Sequence, residues 1–295
     1  MTPLSLPAHP LTLARPVRRR NHRPLAAALA IVATAVLGPS VRPAVAQTAS
    51  ATTATGLTGA DRWADSARVA IEAAHVRRDR PALAAVRTLL GRALVVTPGD
   101  PLLLHYLGYA QYREGVLAMT GGDADAARTL LESADTLLAR SGERRPLAET
   151  YALHASVLGM LIATGNPMSA MVLGPRAGAA MARAERLGPR NPRVALLRGV
   201  SAFNTPSMWG GGMDKARTYL ERAVALSSED RAAAPLPTWG AAEAHVWLGR
   251  VRQRGGDTAG ARAAYTQALT LQPDNVWVSR VLLPSLDRPN ATGTR

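Results

Sequence analysis

From residue 61 onward, apolar positions recur at a fixed set of offsets. Ala261, Tyr265, Ala268, Leu271 and Pro273 stand at offsets of 0, 4, 7, 10 and 12. The same offsets hold Ala177, Met181, Ala184, Leu187 and Pro189, and again Val86, Leu90, Ala93, Val96 and Pro98. Ala127, Leu131, Ala134 and Leu137 repeat the first four positions, as do Ala216, Leu220, Ala223 and Leu226. Offsets of 4, 7 and 10 fall on one face of an α-helix, so each set predicts a helix with one apolar stripe. Alanine in the stripe lets a neighbouring helix come close, and the larger residue at the offset of 4 fills the space beside it. Proline at the offset of 12 ends the helix and opens the turn.

Each stripe follows another helical segment. The clearest is Ala242 to Arg254, closed by Gly255-Gly256-Asp257, a helix stop and then an N-cap. The pattern predicts five helical hairpins, over 62–98, 101–140, 146–189, 192–228 and 239–273. It adds a terminal helix from Asn275 to Leu283, stopped by Pro284, which covers the open end of the stack. Residues 47–60 and 285–295 are small or polar without helical period, and read as a flexible linker and a disordered tail.

Leu248, Gly249, Ala261, Tyr265, Ala268 and Pro273 resemble six of the eight marker positions of the 34-residue tetratricopeptide repeat, placed over 242–275. His245 and Arg252 depart from it, where the family prefers Trp and Tyr. Leu107-Gly108 and Gly122-Asp123 echo the same markers earlier in the chain. The resemblance implies an all-α, right-handed superhelical solenoid over 61–284, with a concave groove lined by the first helix of each hairpin. Stripes begin at 86, 127, 177, 216 and 261, so every interval exceeds 34 residues and the connections or first helices are enlarged.

Composition agrees with the helical reading. Aromatics are 4% of the 295 residues, and past residue 46 isoleucine occurs only at Ile71 and Ile162, which disfavours sheets. The absence of cysteine excludes disulfides, thiolate metal sites and cysteine nucleophiles. Met160, Met168, Met171 and Met181 gather around the third hairpin and read as core filling.

The formal charge of +14 divides unevenly. Residues 1–46 hold six arginines and no acid, which leaves +8 on the rest. Those arginines are scattered among acids rather than grouped in a stripe, which argues against nucleic acid. A basic region ending at Arg23-Pro24 precedes the apolar run Leu25 to Gly38, and Ala44-Val45-Ala46 precedes Gln47. Fourteen helical residues rise about 21 Å, short of the roughly 30 Å hydrocarbon core. Residues 1–46 therefore read as a cleaved signal peptide, and the mature chain as exported, in the periplasm, without a stable membrane anchor. Arg18-Arg19-Arg20 hints at twin-arginine export, although Asn21-His22-Arg23 replaces the apolar residues expected after the pair.

Catalytic chemistry leaves little trace. His75, His105, His154 and His245 stand apart, with no H-E-x-x-H spacing and no pair at i, i+4, so no metal or other cofactor is expected. Gly199-Val200-Ser201-Ala202-Phe203 lacks the second glycine of a nucleophile elbow. One loop does stand out: Asn204-Thr205-Pro206-Ser207-Met208-Trp209-Gly210-Gly211-Gly212, far longer than a helical hairpin needs. Its three glycines permit positive φ, and their N–H groups before a helix suit an anion. A second pair, Trp239-Gly240, follows Pro235-Leu236-Pro237-Thr238. Together with Trp277-Val278 and Leu282-Leu283-Pro284, these elements resemble a group of exported bacterial tetratricopeptide proteins, over roughly 170–285.

Positions 2, 5, 9 and 12 of each first helix line the implied groove. Counting from Pro101 gives Leu102, His105, Tyr109 and Tyr112. Counting from Ala242 gives Glu243, Val246, Arg250 and Gln253, and from Ala67 it gives Arg68, Ile71, His75 and Arg78. Walls of Arg, His and Tyr suit an extended peptide, which offers carboxylates and carbonyls to donors. The sequence thus reads as an exported, non-enzymatic scaffold for a protein or peptide. His105, Tyr109, Tyr112, Arg250 and Gln253 are the groove candidates, and Asn204, Trp209, Gly211 and Trp239 the loop candidates. The alternatives are a small-ligand binder of envelope transport with its pocket at Trp209 and Trp239, and an enzyme whose residues are too dispersed to form a motif.

Overall fold

The structure is a computed structural model that describes residues 58–165 and 167–288. The signal-peptide reading of 1–46, most of the linker and residues 289–295 of the tail lie outside those residues.

Among the described residues, ten helices pair in chain order: α1 Gly59–Val76, α2 Arg80–Val96, α3 Pro101–Thr120, α4 Ala124–Arg144, α5 Ala148–Thr164, α6 Pro167–Leu187, α7 Pro192–Asn204, α8 Met213–Glu229, α9 Ala241–Arg254 and α10 Thr258–Leu271. Partners pack within each pair. The second helix also meets the first helix that follows it, and α1 packs on α3, α5 on α7 and α7 on α9. The described residues contain no strand. This is an all-α repeat fold, with the five hairpins where the apolar stripes put them.

Side-chain caps start most helices. Thr58 and Asp61 form a reciprocal capping box on α1, so the helix begins inside the stretch read as linker. Asp79, Asp100, Asp123, Asn191 and Asp257 each accept from backbone N–H groups of the first turn that follows.

The stripes form the core. Ala261, Tyr265, Ala268, Ala216, Leu220, Ala223, Ala127, Leu131 and Ala134 are all fully buried. Glycine on the first helix makes room for the bulky residue at the offset of 4. A Cβ on Gly199 would lie 2.6 Å from Leu220 Cγ, and one on Gly249 would overlap the Tyr265 ring. The fourth stripe position behaves differently. Val96, Leu187 and Leu271 are exposed because each is the last residue of its helix, whereas Leu226 lies within α8 and is buried.

Two local expectations change. Pro175 lies inside α6 without ending it, and Met168 and Met171 in the first turns of that helix are exposed. Only Met181 of that helix fills the core. At the other end, Pro284 does not stop the terminal helix. The chain widens into a π-helical turn, Val278–Leu282, and continues through Leu283–Ser285. A π-turn spreads the carbonyls that the proline ring would otherwise strike. Its Val278 and Leu282 seal Val246, Tyr265 and Ala268 beneath them, with Leu286 packed alongside, so the end cover extends into the stretch read as tail.

Candidate functional site

The face expected to be an open groove is interior over the first hairpins. His105, Tyr109 and Tyr112 are buried, as are Leu102, Ile71 and Val246. The chain's own connection between α8 and α9 lies against this face at α1 and α3. Tyr106 donates to the Pro235 carbonyl at 2.6 Å, and Arg68 donates to Thr238 Oγ1 at 2.8 Å. Trp239, only 4% exposed, stacks on Tyr109 with ring centroids 5.1 Å apart. Gly240 follows with φ of 108°, and a Cβ there would lie 2.9 Å from Leu196 Cδ2 on α7. Residues 235–240 thus form a strap bonded to α1 and α3 and close-packed on α7.

Beneath the strap sits a charged network. Buried Arg113 donates from Nη1 and Nη2 to the two oxygens of Glu243, at 3.0 and 2.5 Å, and from Nη2 to the Tyr109 hydroxyl at 2.8 Å. Tyr109 in turn donates to Glu72 at 2.5 Å. Burial pushes Glu243 up, but the Arg113 charge and its hydrogen bond outweigh that and hold the carboxyl near about 2. Glu72 lies farther from Arg113, so burial dominates and raises it. Burial pushes the Tyr112 hydroxyl up to about 12. His105 meets Thr150 Oγ1 through Nδ1 at 2.9 Å while its Nε2 has no partner, and burial lowers its pKa to about 3. These groups hold one another, and His105 is a neutral core histidine.

Arg250 and Gln253 separate. Gln253 is fully engaged: its amide donates to Ser285 Oγ, and its carbonyl accepts from Tyr265. Arg250 is half-buried in a cup of aromatic faces, with its guanidinium carbon 4.2 Å from the Trp247 centroid, 4.7 Å from Phe203 and 5.3 Å from Trp277. Arg254, one turn along α9, lies 5.4 Å from the same Phe203 ring. Repeat positions pointed to Arg250 but missed Phe203, Trp247 and Trp277. One signal was available: Arg250 and Arg254 are like charges at i, i+4, which costs a few tenths of a kcal/mol unless something needs them together.

Phe203 and Asn204 end α7, and the long loop begins at the next residue. Asn204 is exposed and bonds back to the Val200 carbonyl. The loop is tightly built. Gly210 N–H donates to Ser207 O, Gly211 N–H to Pro206 O, and Gly212 N–H to both Ala202 O and Thr205 O. No glycine N–H remains for an anion, which removes that expectation. Positive φ belongs to Gly210 at 89° and Gly212 at 109°. Gly211 serves close approach instead, since a Cβ there would overlap the Thr205 carbonyl. The frame holds Met208 and Trp209 out in solvent, 82% and 75% exposed. The two tryptophan-glycine pairs therefore differ, with Trp239 inside and Trp209 outside. Among the described residues, no group of three or more His, Asp or Glu side chains could hold a metal ion, and no helix is long and apolar enough to cross a membrane.

The sequence model of the tetratricopeptide repeat matches residues 242–275, the α9–α10 hairpin and its turn. Those residues form a tetratricopeptide repeat. A thermophilic tetratricopeptide protein of Thermus thermophilus shares 23% identity with it, over 77% of this chain and 98% of that one, at a TM-score of 0.52. The HusA haemophore of Porphyromonas gingivalis shares 20% identity over 67% of this chain and 94% of its own, at 0.56. Both likenesses show the fold. A sequence search of curated proteins matches none of them. Against the tetratricopeptide pattern, the strap across the first helices is the feature the marker residues did not announce.

Proposed function

We propose that this chain is an exported, non-catalytic tetratricopeptide scaffold that binds a peptide or protein partner in the cell envelope. Tetratricopeptide folds serve most often as interaction scaffolds, and the leader pattern of residues 1–46 supports export. The observation that carries the partner site is the Thr205–Gly212 loop. It spends three glycines and all their N–H groups to hold Met208 and Trp209 in solvent, and neither side chain contributes to the core. A rigid aromatic presented at low entropic cost is the usual anchor of an interface. With the inner face of the first hairpins covered by the strap, the partner docks at the end of α7, on the loop and the neighbouring arginine cup.

The test is crosslinking in intact cells, followed by recovery of the protein and its bound chains from the periplasmic fraction. Trp209→Ala is expected to melt within a few degrees of wild type, because so exposed a side chain adds little to stability. It should lose the crosslinked partner, through a weakening of about 2 kcal/mol or more. Equal recovery by wild type and variant would refute the loop as the binding element.

A further inference from the structure

Arg250 is an exception to how this molecule treats its arginines. Arg68, Arg80, Arg87, Arg113, Arg193 and Arg198, all half-buried or buried, are paired with carboxylates. Arg252 donates to the Gly260 carbonyl. Arg250 alone among the half-buried and buried arginines of the described residues meets neither an acid nor a carbonyl. Three rings cover its guanidinium, and Arg254 stands beside it rather than a neutralising acid.

The aromatic faces take the place of water over the flat sides of the cation, which leaves its N–H edge as the polar group still to be matched. A planar fork of N–H donors fits a carboxylate with two parallel hydrogen bonds, and a poorly hydrated cation gains more from such a partner than a fully solvated one. We propose that Arg250, assisted by Arg254, receives an acidic side chain, Asp or Glu, from an extended segment of the partner. This rests on the scaffold reading and names the chemistry it selects.

The probe is acetyl-(Glu)4-amide, whose only charges are side-chain carboxylates, with acetyl-(Gln)4-amide and inorganic phosphate as comparisons. Binding is followed by NMR at the Arg250 and Arg254 Nε–H and at the indole N–H groups of Trp247 and Trp277. The glutamate peptide should shift these signals in saturable fashion, and the glutamine peptide should leave them still. Arg250→Gln should weaken the glutamate peptide at least tenfold, with Arg254→Gln losing less. Should Arg250→Gln fold poorly, Arg250→Lys keeps the charge without the fork and should still weaken binding several-fold. Unchanged binding in Arg250→Gln or Arg250→Lys, or no binding by wild type, would overturn the proposal. Phosphate binding as tightly as the glutamate peptide would overturn the carboxylate assignment. The scaffold reading fails separately: a partner crosslinked through Trp209 with no peptide binding removes only the acid receptor, and peptide binding with no crosslinked partner removes only the scaffold.

Discussion

At the scale of single residues, the molecule separates charges it neutralises from a histidine it keeps uncharged. His105 is fully buried with its Nε2 facing no acceptor, so protonation would place an unpaired N–H and a positive charge in the core. Its pKa falls from 6.5 to about 3 on folding, through burial and then the Arg193 charge. The unfolded chain therefore binds a proton that the folded chain refuses, across the window between those two values. Stability should be full above pH 6.5 and decline as the pH falls towards 3. Melting temperatures between about pH 7.5 and about pH 5 should fall less in His105→Gln than in wild type, and an equal fall in both would refute the assignment. The sequence placed this histidine on a helix but gave it a groove. Nothing in the residues around His105 discloses that a much later segment covers that wall, since an apolar-aromatic first helix looks the same whether peptide or protein occupies its face.

At the scale of elements, the sequence was most legible where the physics is local. The offsets of 4, 7 and 10, the aspartate caps and the prolines in the turns are all decided within one helix and its neighbour, and the hairpins stand where those signals put them. Two elements were less readable. Pro284 reads as a stop, yet a π-turn lets the terminal helix carry it. The triple glycine reads as an anion cradle, yet its donors are already spent. Only the loop's own hydrogen bonds, which depend on how α7 hands over to α8, reveal the role of each glycine. Gly211→Ala should destabilise the protein by more than the usual loss of about 1 kcal/mol for a glycine substitution, because the Thr205 backbone must move. Chemical denaturation reads this directly. A loss well under about 1 kcal/mol would show that the loop yields, and that Trp209 is not rigidly presented.

At the scale of the whole molecule, most repeat arrays hold together through nearest neighbours alone. This one adds contacts from α3 to the start of α9, past all the helices from α4 to α8. Arg113 and Glu243 are the strongest of them, and Arg113 is almost fully enclosed. Removing the acid leaves a buried cation with only the more distant Glu72 carboxyl, and breaking comparable buried pairs costs about 3–5 kcal/mol. Glu243→Ala should therefore lower the denaturation midpoint of the entire chain, seen alike by helix content and by tryptophan emission. Wild type should unfold in one step. A variant that melts only α9 and α10 while the first hairpins persist would show that the strap does not couple the two ends.

The strap also dictates an order of events during synthesis. Tyr106, Tyr109 and Arg113 leave the ribosome about 130 residues ahead of the Pro235–Glu243 stretch that covers them, an interval of roughly 6 to 26 s at ordinary elongation rates. For that interval the tyrosines have no cover and Arg113 has no Glu243 to pair with. The covering arrives with the last fifth of the protein. A truncated or stalled chain would never receive it, and its tyrosine wall would stay exposed to water.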